Sequence, residues 1–174
     1  MTELETLSLG QRFPELEAFT TSGGISTLAE SLMGRIENAD YKTIRYPGHA
    51  RIISTMMSLG FFSDQAVAQS GETAFDVSAG ILEKSLYSDA PDVVLVKAEA
   101  KQGSTTLGAW TSIIDADKNW TAMQKSTGAS AAVIAELIAK GKVNGPGVLT
   151  QEEGVPAEDY VCLLYTSPSP RDRG

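Results

Sequence analysis

The chain has 174 residues, 42% hydrophobic and 21% charged, with a net charge of −8. That is enough for one domain with a real core and is ordinary for a soluble globular protein. The acidic balance argues against nucleic acid as a partner. No apolar run reaches the length of about 18 residues that a membrane span needs, and one histidine and one cysteine argue against a zinc site or a disulfide.

Met1 is followed by Thr-Glu-Leu-Glu, with neither a basic nor an apolar signal region, so a cytoplasmic location is expected. Residues 1–12 are polar and start irregularly. Glu15 to Thr20 alternates polar and apolar, which predicts a half-buried strand. Ser22-Gly23-Gly24 breaks it. Ser26-Thr27 before Leu28, Ala29, Leu32 and Met33 predicts a short capped helix that Gly34 stops. Tyr41 to Tyr46 reads as a second strand, ended by Pro47-Gly48. Ile52, Ile53, Met56, Met57 and Leu59 mark one face of a helix closed by Gly60.

Residues 61–76 read as loop, and Val77, Ile81, Leu82 and Leu86 as a further amphipathic helix. Val93 to Lys101 and Thr105 to Ile114 are β-rich, with Gln102-Gly103-Ser104 as a hairpin loop. Asp115 to Asn119 is turn material. Thr127-Gly128 reads as the N-cap of a helix carrying Ala129, Val133, Ile134, Leu137 and Ile138 and ended by Lys140-Gly141, or as exposed backbone N–H groups that could meet an anion. Residues 147–160 read as a connector. The order predicts an α+β fold: two layers, a mostly antiparallel mixed sheet with helices on one face. Neither a Gly-x-Gly-x-x-Gly after a strand nor a P-loop occurs, so no dinucleotide site can be read in this chain.

Lys42, Arg45, Tyr46 and His49 form the clearest constellation, at the end of the second predicted strand. A guanidinium can hold a carboxylate through two parallel hydrogen bonds. A tyrosine hydroxyl can share that carboxylate or meet an amine. A histidine near a helix N-terminus can act as a neutral donor or acceptor. The same residues also read as a solvated strand end and a cap. Thr20-Thr21-Ser22-Gly23-Gly24 is either a turn or a place where backbone approaches a ligand. Asp115 and Asp117 read as turn residues, Glu152 and Glu153 as surface, Trp110 and Trp120 as core or interface aromatics.

The run Asp40-Tyr41-Lys42-Thr43-Ile44-Arg45-Tyr46-Pro47-Gly48-His49 resembles a segment of saccharopine dehydrogenase-like enzymes, including the lysine 6-dehydrogenases. Thr20 to Gly24 is similar to that family's Gly-Gly segment, and Lys140 to Val148 to a later loop. Ala129-Ser130 departs from it, since a proline is usual there. The resemblance spans roughly residues 13–160. It implies the fold of a glyceraldehyde-3-phosphate dehydrogenase C-terminal domain. Residues 1–161 would be the substrate-binding and dimerising half of an oxidoreductase acting on lysine, saccharopine or a related amine. NAD or NADP would be held by a separate Rossmann domain, and the fragment would be inactive alone. Arg45, Lys42, Thr20, Ser22, Gly23 and Gly24 would face the amino-acid substrate, Tyr46 and His49 would be catalytic, and a homodimer is expected. A free-standing amino-acid-binding or dimerisation module is the alternative. Cys162-Leu-Leu-Tyr-Thr-Ser-Pro-Ser-Pro-Arg-Asp172 resembles a translated sequencing adapter, so residues 162–174 are expected to be a non-native tail.

Overall fold

The computed structural model describes residues 2–21, 24–67, 69 and 71–166. The elements run β1 (Thr2–Leu7), β2 (Leu16–Thr20), α1 (Leu28–Leu32), β3 (Thr43–Arg45), α2 (His49–Ser58), α3 (Ala74–Leu86), β4 (Val93–Gln102), β5 (Thr105–Asp115), α4 (Ala122–Ala139), α5 (Gln151–Gly154) and α6 (Ala157–Thr166). The fold is α+β, as expected, and its two sheets are antiparallel: β1-β2-β3 and β4-β5. The chain divides into two compact units, one of Met1–Ile25 with Asp40–Ala90, the other of Ser26–Ala39 with Pro91–Gly174.

In the first unit β2 is the central strand. It is not half-buried: Leu16, Glu17, Ala18 and Phe19 are all buried, so both faces of this strand are covered. β1, which the polar composition of residues 1–12 concealed, is an exposed edge strand whose register shifts between Thr2 and Glu5. Phe13 is buried beneath the β1–β2 connection, where the Phe13 N–H donates to the Gly10 carbonyl at 3.1 Å. On α2 the inner stripe is Ala50, Ile53 and Met56, while Ile52, Met57 and Leu59 are exposed. α3 begins in a capping box: the Thr73 hydroxyl accepts the Asp76 N–H, and the Asp76 carboxylate accepts the Thr73 N–H.

In the second unit β4 and β5 form the expected hairpin, closed through the Gln102↔Thr105 pair with Gly103 at φ 58°. A type II′ turn requires glycine at that first loop position. α4 starts six residues earlier than Thr127-Gly128 predicts. Its cap is Thr121, in a capping box with Gln124, so Thr127 and Gly128 lie inside the helix and their amides are spent on it. Ala122, Val133 and Leu137 are its buried positions. Gly141, at φ 65°, ends it: Lys142 N–H returns to Leu137 O at 2.9 Å and Gly141 N–H to Ile138 O at 3.0 Å, the Schellman pattern.

Residues 147–160 are more than a connector. They contain α5 and the start of α6, and the Thr27 hydroxyl donates to Glu152 at 3.1 Å. α6 packs on α4, with Tyr160 donating to Ser130 at 2.9 Å, and it continues through Cys162 to Thr166. Asp117 is a turn residue, accepting the Asn119 and Trp120 N–H groups at 2.8 and 3.1 Å. Neither tryptophan reaches the core. Trp120 is half exposed, and Trp110 donates its ring N–H to Tyr165.

Candidate functional site

The turn between β3 and α2 is the candidate site, and its geometry begins with backbone chemistry. Pro47 has no N–H with which to extend β3, and Gly48 takes φ 93°, so the chain leaves the sheet and enters α2 at His49. Gly48 is the N-cap residue and has no side chain to satisfy the first amides of the helix. β2 supplies what is missing. One Glu17 carboxylate oxygen accepts the Gly48 N–H at 2.9 Å, and the other accepts the Ala50 N–H at 2.5 Å. The Ala50 N–H most strongly favours the charged form. Burial opposes it, and the Gly48 N–H and His49 add to it, so the carboxyl is held below its ordinary range.

Phe19, two residues along β2, stands on the same face as Glu17. The exposed His49 ring stacks on it, with centroids 6.0 Å apart and planes 15° apart. Arg45 lies directly opposite Glu17 in the ladder, so its side chain also belongs to this face. It is exposed, and its Nη1 donates to the Ile44 carbonyl at 2.8 Å. Tyr46 is 64% exposed. Arg45, Tyr46 and His49 are therefore gathered around one turn.

The other predicted contacts fall elsewhere. Lys42 alternates onto the opposite face, where its Nζ lies 3.4 Å from both Glu5 and Asp40. Burial works against the ammonium charge, but Glu5 and Asp40 outweigh it and hold the group above its ordinary range. Thr20 donates to Glu3 at 2.9 Å, and the Thr21 and Thr43 hydroxyls are 3.1 Å apart. These groups tie the sheet together. Gly24 lies flat on the Tyr41 ring, where any Cβ would overlap it. Ser22 and Gly23 lie outside the described residues.

Glu17 is the site residue that sequence reasoning missed. Alternation assigned it to solvent with Glu15, whereas it sits between Leu16 and Ala18 on a strand covered from both sides.

Residues 1–164 match the family model of the saccharopine dehydrogenase C-terminal domain. The chain belongs to that family. The match includes the whole Arg45–His49 turn and Glu17. No solved structure matches the chain. Saccharopine dehydrogenases are NAD(P)-dependent, which raises the question of whether this domain can hold a dinucleotide. A strand–turn–helix passage such as β3–Gly48–α2 is where a pyrophosphate would meet free amides. Here a carboxylate already fills them. The N-terminus of α4 is filled in the same way, Asp92 accepting the Ala122 and Met123 N–H groups at 2.7 and 2.9 Å. A second anion at either place would face a like charge, so these residues of the saccharopine dehydrogenase C-terminal domain do not fit dinucleotide phosphates. No described helix is long and apolar enough to cross a membrane.

Proposed function

We propose that this chain is the substrate-binding and dimerising half of an amino-acid oxidoreductase acting on lysine, saccharopine or a related amine. The observation that carries the reading is the exposed Arg45–Tyr46–His49 turn, anchored from below and free above. Arg45 grips the substrate carboxylate through its two-pronged guanidinium. Tyr46 and His49 orient the amine by hydrogen bonds. Thr20 and Lys42, engaged with Glu3, Glu5 and Asp40, keep the sheet beneath the turn in register, and Gly24 lets Tyr41 lie close. NAD or NADP belongs to a separate domain, because Glu17 and Asp92 occupy the N-termini of α2 and α4. The domain works in the cytoplasm.

The amino-acid reading is tested by calorimetry with L-lysine and L-saccharopine on the chain and on Arg45→Lys. Lysine keeps the charge but loses the fork, and such sites do not tolerate that exchange. A hydrogen bond to a charged group contributes roughly 1.5–3 kcal/mol, so affinity is expected to fall about 10- to 100-fold with the melting temperature unchanged. Full affinity in Arg45→Lys, or binding by neither amino acid, sinks the reading.

The dimerising part of the proposal rests on the β4–β5 hairpin, whose residues 96–111 are all exposed. A two-stranded ribbon is marginal without a covering layer.

A further inference from the structure

We propose that Glu17 is the positioning residue of the Arg45–His49 turn, fixing from the sheet interior where the substrate-facing side chains stand. The inference rests on reading that turn as the amino-acid site. A helix normally takes its cap from Ser, Thr, Asp or Asn at its own N-cap. This helix has Gly48 there, without a side-chain cap, and Pro47 before it. The turn therefore cannot set its own geometry. The cap comes instead from a strand that precedes it by 31 residues.

The grip is specific in form. The two carboxylate oxygens hold Gly48 and Ala50, the residues on either side of His49, so the backbone of His49 is clamped between two anchored amides. Its ring then rests on Phe19. Arg45, at the other end of the turn, is paired with Glu17 in the ladder. One residue thus meets both ends of the site, while being 9% exposed itself. Glu17 is placed to hold the groups that touch substrate and is not one of them.

Gln replaces one acceptor oxygen by an NH₂ group, which cannot accept an amide proton. Glu17→Gln should therefore free at least one of the two amides without emptying the space. The test uses NMR on the full chain. In the wild type, the Gly48 and Ala50 amide shifts should follow the titration of the Glu17 carboxyl carbon as pH falls. Arg45 and His49 are the other ionisable groups of this face, and His49 is followed separately through its ring resonances. Glu17→Gln should abolish the acid-range shift of both amides and weaken L-lysine binding about tenfold, and Glu17→Asp should recover part of both. Amide shifts that ignore the Glu17 titration overturn the proposal, and this readout needs no variant that could fail to fold. So does unchanged L-lysine affinity in Glu17→Gln when Arg45→Lys binds weakly. If Arg45→Lys does not weaken L-lysine binding, the amino-acid reading falls instead, while the amide titration still decides whether Glu17 holds the turn.

Discussion

At the scale of single residues, the site depends on two close fits that lie outside the motif itself. One is Glu17 against the α2 amides. The other is Gly24 against Tyr41, where a Cβ has no room beside the ring. Overpacking of this kind costs about 1–3 kcal/mol. Gly24→Ala is expected to destabilise by that amount in the wild-type background and by much less in Tyr41→Ala, where the obstacle is gone. Urea unfolding of the four proteins of that cycle measures the coupling. Equal costs in both backgrounds would show that Gly24 is needed for its backbone and not for Tyr41. The sequence made Arg45, Tyr46 and His49 visible, because a Pro-Gly turn after a short β run announces itself locally. It could not show Glu17 doing anything but facing water. The contacts that define its role are long-range, and alternation assigns a polar residue outward unless both faces of the strand are known to be covered.

At the scale of elements, acidic side chains recur at helix starts. α2 is held by Glu17, α3 by Asp76 and α4 by Asp92. Asp92 is shifted below its ordinary range by the Ala122 N–H first and the Met123 N–H second, and Asp76 by the Thr73 hydroxyl and N–H. A carboxyl whose folded value is depressed contributes stability that is present above its unfolded value and is lost as pH falls through the folded one. The melting temperature should therefore fall as pH is lowered from about 5 toward 3. Asp92→Asn should lower it at neutral pH and flatten the acid slope. An acid slope as steep as that of the wild type would show that Asp92 carries no part of the dependence. The capping boxes were there to be read: Thr73-x-x-Asp76 and Thr121-x-x-Gln124 both precede helices. Ser126-Thr127-Gly128 drew the α4 boundary inward because glycine and hydroxyl residues usually mark ends, yet here an interior glycine is carried by eighteen residues of helix. β1 stayed hidden for the opposite reason. An exposed edge strand needs little apolar periodicity, since its register comes from its neighbour.

At the scale of the whole molecule, the hairpin raises the question of what covers it. Val94, Val96, Ala98 and Ala100 on β4 face Ile114, Ser112, Trp110 and Gly108 on β5, so one face carries no charge at all. Charge on β4 goes to the other face, where Lys97, Glu99 and Lys101 form ion pairs at 3.2 and 3.3 Å. Val94, Ser112 and Ile114 at its base are half-buried, but Val96, Ala98, Ala100, Gly108 and Trp110 are exposed, and an exposed patch of this kind marks an interaction surface more often than a solvated one. A second copy of the chain can present the same face to it, and isologous pairing is the commonest way soluble chains associate. The chain is therefore expected to sediment as a dimer, with dissociation on dilution. Ala98→Glu sets a charge in the middle of the face, directly across the ladder from Trp110. An unpaired buried charge costs about 3–5 kcal/mol, so dimerisation should weaken by roughly 100-fold or more, with the circular dichroism spectrum unchanged. Lys97→Ala, on the opposite face, should leave the dimer intact. A wild-type chain that is monomeric at about 100 μM, or a dimer indifferent to Ala98→Glu, would show that this face is covered by something other than its own copy. The dimerising half of the proposed function would then fail, while the amino-acid half, which depends on the Arg45–His49 turn alone, would stand or fall on its own binding measurement.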